Sequence, residues 1–449
     1  MRSGLLAFGT VIWSAPLLAQ AASDPLAPLS AAPQPVAPIP TTQQAPAPTS
    51  QPATSVTQPA APLQTATPLK PVVVPKDWRG VFDAIDAGSW ASAQAGIAAL
   101  PRSILTPVAK AELYTAKGSP VVDLGSLQAL ITEAPELPKA DQLAAMMANQ
   151  DGSGYGQFGA PRRQGPTIAS KKGALGIVIR SIGTDHHRNP HTGVQYFTDG
   201  ATPIPAGALP VPDAEQLVRI LKRGKPVVMH LTLVSERREG AQSGNVIAEV
   251  PGRDPKAPIL LVGGHLDSWD QGTGAIDDGT GVAITAAAAK HIMDAGRPLR
   301  TIRVVWFGAE EPGGLGGKAY AEAHGKESYA IAGESDFGAD RVWRFSSQHM
   351  KTDPAIYAQL AAALAPLGIV KNDKGDADGT DVEPTIQAGA PWISLSQDGT
   401  RYFDYHHTPD DTLDKVDPAQ LRQNVAAWTA ALAILSGGIE SQPKQPKRR

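Results

Sequence analysis

An α/β domain built on a largely parallel sheet flanked by helices is predicted for residues 243–437, and three observations carry that prediction. Strand-like runs recur along the segment: NVIAEVPG, APILLVGG, RTIRVVWFG, SYAIAGES and PWISLS. Helical patterns lie between them, including GVAITAAAAKHIMDAG and the closing PAQLRQNVAAWTAALAIL. Strands that alternate with helices indicate crossover units and a parallel sheet. Acidic and imidazole groups also cluster just past the strands: HLD follows ILLVGG, EE follows VVWFGA, and SD follows YAIAGE. In such sheets ligands gather at the carboxyl ends of the strands.

The segments ahead of this domain differ in kind. Residues 1–21, MRSGLLAFGTVIWSAPLLAQA, have Arg2 at the start, an apolar stretch from Leu5 to Leu18 and Ala19-Gln20-Ala21 as a small-x-small cleavage site. That is the pattern of an export signal. Its apolar run is shorter than the ~20 residues a spanning helix needs, so no stable membrane insertion is expected. With no cysteine in the chain, disulfides and a lipidated N-terminal cysteine are excluded, and a periplasmic or secreted location is expected. Residues 22–76 read as a disordered proline-rich linker. The stretch 24–76 holds 14 of the 41 prolines, with no charge between Asp24 and Lys70. Too little apolar surface is available there to offset the entropy of ordering.

Residues 77–150 turn helical and alanine-rich, in WRGVFDAIDAGSWASAQAGIAALP and VVDLGSLQALITEAPELPKADQLAAMMANQ. This segment bears a distant resemblance to the N-terminal superhelical region of soluble lytic murein transglycosylases, which would imply packing or contact with the cell wall. Within 164–242, ALGIVIRSIG and KPVVMHLTLV read as strands and DAEQLVRILKRG as a helix opened by Asp213. His186, His187 and His191 lie in DHHRNPHTG; a zinc site needs more ligands at defined spacing, so surface histidines are expected there. Residues 438–449 form a flexible basic tail. Forty basic against forty-three acidic side chains exclude nucleic acid as the main partner.

The stretch HLDSWDQGTGAIDDG packs four aspartates and a histidine into a glycine-rich run. His265 and Asp267 leave one strand end, Asp277 and Asp278 open the next helix, Glu310 and Glu311 leave another strand and Asp336 a third. His406 and His407 follow PWISLSQDG. So many carboxylates on one rim repel each other unless cations neutralise them. Mixed imidazole and carboxylate groups suit zinc, with manganese or cobalt as substitutes, and one bridging carboxylate would fit two ions about 3.5–4 Å apart. Taken singly, each piece has a plain reading: DDG as a helix cap, paired glutamates as surface charge, HH as a solvated loop. Their joint occurrence on strand ends argues for the metal.

HLDSWD, AIDDGTG, FGAEEPGGLGG, GESD, GTD and YHHTPDDT together resemble the co-catalytic dizinc exopeptidases, the aminopeptidase family M28, in its plasma glutamate carboxypeptidase branch. The resemblance runs from about Gly154 to Ile434 and takes in IRSIGTDHHRNPHTG. It implies the zinc exopeptidase fold with a protease-associated-like apical domain inserted at 164–242. It further implies two Zn2+, with His265 and Asp336 on one, Glu311 and His407 on the other, and Asp277 bridging. Glu310 would be the general base, and Asp267 would orient the His265 imidazole through its carboxylate. His406 and Asp381 would lie on the substrate side. Relatives carry a helix and the first strands ahead of the inserted region, where this chain has its helical segment, so the sheet is expected to lack edge strands.

The resulting expectation is an exported exopeptidase, an aminopeptidase or dipeptidase, acting on short peptides through a water activated by two zinc ions. Without a nucleophilic cysteine or a clear Gly-x-Ser-x-Gly elbow, the common covalent routes fall away. A non-catalytic or impaired peptidase-like binding protein at the cell envelope, a cell-wall interaction module and another dimetal hydrolase such as a deacetylase are the rival readings. A homodimer and a cell-wall contact through the helical segment stay open.

Overall fold

The computed structural model describes residues 72–116, 119–120, 122–137, 139–233 and 240–440, all within one compact unit. The export signal, nearly all of the proline-rich linker and the tail beyond 440 lie outside the described residues. Among the described residues no helix is long and apolar enough to cross a membrane.

Five helices come first: α1 (Trp78–Asp86), α2 (Trp90–Ala99), α3 (Leu105–Thr115), α4 (Leu124–Glu133) and α5 (Ala140–Ala148). Asp77 caps α1 by accepting from Gly80 N at 2.8 Å, and Asp123 caps α4 by accepting from Ser126 N at 2.9 Å. Val81 and Ile85 of α1 pack with Ala93, Ala109 and Leu113, while Leu127 and Leu130 of α4 pack with Leu143 and Met146 of α5. These helices therefore have small cores of their own. Their far end is nevertheless keyed into the domain that follows. Gly399 N donates to Gln150 O at 2.9 Å, and Arg401 Nη1 donates to Ser119 O at 2.6 Å. Gly399 is needed at this contact, because a Cβ there would lie 2.5 Å from Asn149 O.

Helices α6 (Ser153–Phe158) and α7 (Ala160–Lys171) lead into the apical region, where β1 (Ile177–Arg180), β2 (Ala206–Leu209) and α8 (Val211–Leu221) follow. β1 and β2 pair in parallel, Ile177 opposite Ala206. The expected strand in KPVVMHLTLV does not form over its described residues. Val228 is 96% exposed there, and Leu231 and Leu233 reach Gly176 and Gly207 only through their side chains, without ladder pairing among the described residues. The partner of β1 is instead AGAL, whose glycine and alanines carry little strand propensity.

The remaining elements are β3 (Val246–Val250), β4 (Ile259–His265), α9 (Thr280–Ala295), β5 (Arg297–Pro298), β6 (Ile302–Phe307), α10 (Leu315–His324), β7 (Tyr329–Glu334), β8 (Val342–Ser347), α11 (His349–Thr352), α12 (Pro354–Leu364), β9 (Val370–Lys371), α13 (Glu383–Gln387), β10 (Ile393–Gln397), α14 (Tyr402–Tyr405), α15 (Pro418–Leu435) and β11 (Ile439–Glu440). The main sheet runs β3-β6-β4-β7, with β6, β4 and β7 parallel and β3 antiparallel at the edge. A parallel bridge, Ala332 to Trp392, carries it on to the β10-β8-β9 sheet. On one face α9 and α15 cover the strands through Ile284, Ala288, Trp428 and Leu432; on the other, Phe307, Tyr320 and Val382 form a second core. All five expected strands are present. β8, VWRFSS, is an addition whose polar residues mask its strand character.

At the β3 edge, Val246 and Ile247 are 45% and 43% exposed, and among the described residues β3 pairs only with β6. An open edge of this kind is a place where further strands could pair.

Candidate metal centre

Strand ends and the turns after them build the site. β4 delivers His265, which is almost fully buried at 1% exposure. The turn that follows places Asp277 and Asp278 over the strand, with a cis peptide between them. This close approach requires glycine in β4, since a Cβ on Gly264 would lie 2.4 Å from Asp278 Oδ2. Asp278 uses that position to accept from His265 N at 3.0 Å and from Gly281 N at 3.1 Å. Asp411, in the YHHTPDDT loop, clasps the same turn from outside. Its Oδ1 accepts from Ile276 N at 2.6 Å and its Oδ2 from Asp277 N at 3.1 Å.

Asp277 is the hinge of the arrangement. Its Oδ1 lies 3.0 Å from His265 Nε2, and its Oδ2 lies 3.2 Å from His407 Nε2. Asp336, just past β7, brings Oδ1 to 3.4 Å from His265 Nε2. Glu311, just past β6, brings Oε2 to 3.2 Å from His407 Nε2. Each imidazole thus faces Asp277 and one further carboxylate. His407 and Ala309 both take left-handed backbone conformations, φ 57° and 59°, which non-glycine residues adopt at some cost and which often mark functional turns.

Charge in this cluster is frustrated. Burial, then the Asp336 charge, pushes the Glu310 carboxyl up to about 8. Burial raises Asp336 to about 6 against the pull of His265, and Asp381 to about 7. Burial also raises Asp278 and Glu334 well above the usual carboxylate range, with Asp336 and Asp381 respectively adding to it. Burial would likewise raise Asp277, yet hydrogen bonds from His265 and His407 hold it well below. Burial opposes the charged form of His407, but Asp277 and Glu311 raise it to about 9. Several buried oxygens lack a hydrogen-bond partner: Glu311 Oε1, Asp336 Oδ1, Glu334 Oε1 and Asp381 Oδ2. Orphaned buried carboxylate oxygens are costly, and oxygen donors converging with imidazole nitrogens fit divalent cations. His265, Asp277 and Glu311 form one group with ligand atoms within metal-binding reach of each other, and His265, Asp278 and Asp336 another.

The other predicted residues also gather here, with one correction. The Asp267 carboxylate does not orient His265. It stays 3.8 Å from Nδ1, and the Asp267 backbone carbonyl meets that nitrogen at 2.8 Å instead. The carboxylate turns to the β6 side, where it accepts from Glu310 N at 2.9 Å and Glu311 N at 3.2 Å and fixes that turn. Asp381 accepts from Gly317 N at 3.1 Å, while its own N–H donates to Glu334 Oε2 at 2.9 Å. His406 stacks on His407 with ring centres 3.6 Å apart, and its Nε2 lies 3.4 Å from Asp277 Oδ2.

Three contributors went unread in the sequence. His191 is not a surface histidine: it is 5% exposed, with Nε2 3.2 Å from His406 Nδ1. Its neighbour Thr192 offers a backbone carbonyl 3.1 Å from His407 Nδ1, and Thr192 N donates to His407 O at 2.8 Å. Tyr155 of α6 completes the wall, stacked on Phe403 at 4.5 Å with its hydroxyl 3.1 Å from His191 Nε2. The turn sequence NPHTG beside a histidine pair was the available signal for His191. Nothing local marks Tyr155.

Comparison with known proteins agrees with this geometry. Residues 245–432 match the model of Peptidase family M28. Carboxypeptidase Q of Mus musculus is 36% identical over 299 residues, 66% of this chain and 63% of that protein. Carboxypeptidase Q of Homo sapiens is 34% identical over 333 residues, 73% of this chain and 70% of that protein. The crystal structure of a Peptidase M28 precursor from Shewanella amazonensis SB2B is similar at TM-score 0.61 and 50% identity, covering 66% of this chain and 68% of that one. The fold and the site define an α/β protein with a buried carboxylate and imidazole cluster at the strand ends of a largely parallel sheet. This chain belongs to peptidase family M28. It spans 63% of the length of the mouse relative.

Proposed function

We propose that the chain is an exported zinc-dependent exopeptidase that hydrolyses short peptides, as an aminopeptidase or a dipeptidase. The observation that carries this reading is Asp277, whose two oxygens face His265 and His407 at 3.0 and 3.2 Å. His265 and Asp336 would hold one zinc, Glu311 and His407 a second, and Asp277 both. Bound there, the ions would supply Lewis acidity and lower the pKa of a water, and manganese or cobalt could substitute. Asp278 and Asp411 fix the turn that carries Asp277. The Thr192 carbonyl holds Nδ1 of His407, leaving Nε2 for the ion. Glu310 would accept the proton of the attacking water and return it to the leaving amine. His406, whose Nδ1 lies 3.2 Å from His191 Nε2, would meet the developing charge on the scissile carbonyl oxygen. Asp381 supports the α10 side of the cleft through Gly317.

Chelation tests the reading. Dipeptide hydrolysis should fall below detection after treatment with a strong chelator and return with zinc or cobalt, at close to two equivalents per chain by elemental analysis. Peptidase activity in rigorously metal-free protein would overturn the mechanism, and saturation at one equivalent would overturn the two-ion centre. Export is supported by Arg2, the Leu5–Leu18 stretch and Ala19-Gln20-Ala21. N-terminal sequencing of the protein recovered from the periplasm or medium should begin at Ala22; an intact Met1 there would count against a cleaved signal.

A further inference from the structure

A second cluster of metal-binding side chains lies outside the centre, where the loop after β1 meets the YHHTPDDT loop. Asp185, His187 and Asp410 each bring a ligand atom within 4.8 Å of the others. His187 Nδ1 faces Asp185 Oδ1 at 3.0 Å and Asp410 Oδ2 at 3.6 Å, yet makes a hydrogen bond to neither. Asp185 is only 3% exposed, and its Oδ1 accepts from His187 N at 2.6 Å. Its second oxygen, Oδ2, is buried beside the same residue with no hydrogen-bond partner. On the far side, Asn189 Nδ2 donates to Asp410 Oδ2 at 2.8 Å. Burial opposes a charge on the His187 ring, while Asp185, Asp404 and Asp410 favour one, so three carboxylates act on a single imidazole. The arginines beside these residues in the sequence are engaged elsewhere, Arg188 by Asp213 and Arg401 by Asp340.

We propose that Asp185, His187 and Asp410 hold a further divalent cation, separate from the two-ion centre, that ties the apical region to the loop carrying His407. One imidazole nitrogen with carboxylate oxygens suits zinc or manganese. A cation there would give Asp185 Oδ2 a partner and would neutralise carboxylates that repel one another. Waters would complete its shell on the side where the His187 side chain is 21% exposed. The two loops are already joined at both ends of the 184–192 stretch: Thr184 N donates to Phe403 O at 3.1 Å, and Thr192 N donates to His407 O at 2.8 Å. The cation would add a tie between those two points, at Asp410. That residue precedes Asp411, which clasps the turn carrying Asp277. The role is bracing, and it holds whatever the centre hydrolyses. Affinity at such sites follows the number of charged ligands and their rigidity. With three protein donors and an open side, this ion should exchange and leave on dialysis, while the centre retains its own.

The test uses the full-length protein, loaded with zinc and dialysed. Mn2+ is then titrated in, and the free ion is followed by its electron paramagnetic resonance signal. Manganese binds more weakly than zinc at a given set of nitrogen and oxygen donors, so it leaves the zinc of the centre in place. One equivalent of Mn2+ is expected to bind while zinc content holds its starting value, and Tm should rise with it. Asp185→Asn keeps an acceptor for His187 N but removes the charge. It should weaken Mn2+ binding by at least about tenfold and remove most of the Tm rise, with zinc content unchanged. His187→Gln should do the same. A zinc-loaded parent that binds no Mn2+ overturns the proposal and leaves the cluster an ion pair of His187 with its carboxylates. Binding that either variant retains in full overturns it too, since the Mn2+ would then lie elsewhere. Loss of zinc in step with Mn2+ in the variants would make the cluster part of the centre and overturn a separate site. Should Asp185→Asn fail to fold, His187→Gln and the parent titration decide alone.

Discussion

Replacing Glu310 with glutamine is expected to lower kcat on a dipeptide by about 10³-fold or more while zinc content stays at its parent value. General base catalysis contributes on the order of 10²–10⁴-fold, and an amide of the same shape cannot accept the proton of the attacking water. The turn itself is kept: its backbone is held by Asp267, whose carboxylate takes the N–H groups of Glu310 and Glu311 at 2.9 and 3.2 Å, and the substitution leaves both bonds in place. Metal analysis beside steady-state kinetics distinguishes the roles. A variant that loses zinc in proportion to activity would show that Glu310 is a ligand and that its assignment beside Glu311 is reversed.

The residues that meet at the centre were legible because strand ends place them there. His265, Glu311 and Asp336 each follow a buried apolar run, and the parallel order of β4, β6 and β7 turns three sequence-distant positions into neighbours. What could not be read was the partner of each backbone group. Asp267 looked like a carboxylate for the imidazole two residues away, yet the turn presents its carbonyl there and sends its carboxylate to the β6 turn. His191 looked solvated because a single histidine in a loop has no periodicity to reveal burial. Its environment comes from Tyr155 and His406, which lie 36 and 215 residues away. KPVVMHLTLV carried a strand's composition, but a strand also needs a neighbour to take its hydrogen bonds, and composition does not supply one. The helical segment read as a separate packing unit. Its two small cores agree with that, while Ser119 and Gln150 reach the loop around Gly399 and Arg401, through Arg401 Nη1 on Ser119 O, Gly399 N on Gln150 O and Gln150 Nε2 on Asp398 Oδ2, contacts between positions too far apart in sequence for a local pattern to encode.

Asp277→Ala is expected to empty the whole centre rather than half of it. The carboxylate faces His265 with one oxygen and His407 with the other, so removing it takes a donor from both proposed ions at once. Zinc should fall well below one equivalent per chain after dialysis, and dipeptide hydrolysis should fall by more than about 10³-fold, as for loss of the activated water. The loss should also appear in stability. A ligand that binds only the folded chain stabilises it by about 2.7 kcal/mol at a concentration 100-fold above Kd. The difference in Tm between zinc-loaded and chelated parent protein should therefore disappear in the variant. The fold itself should persist, because the turn around residue 277 is still held through its backbone by Asp411 and through Asp278. Asp336→Ala is the matched control, since Asp336 approaches His265 alone of the two imidazoles, and it should leave close to one equivalent bound. If Asp277→Ala retained one tightly held zinc, the shared-carboxylate arrangement would fail and Asp277 would belong to a single ion. If it retained two, Asp277 would not be a ligand, and its place between the histidines would be a structural contact only.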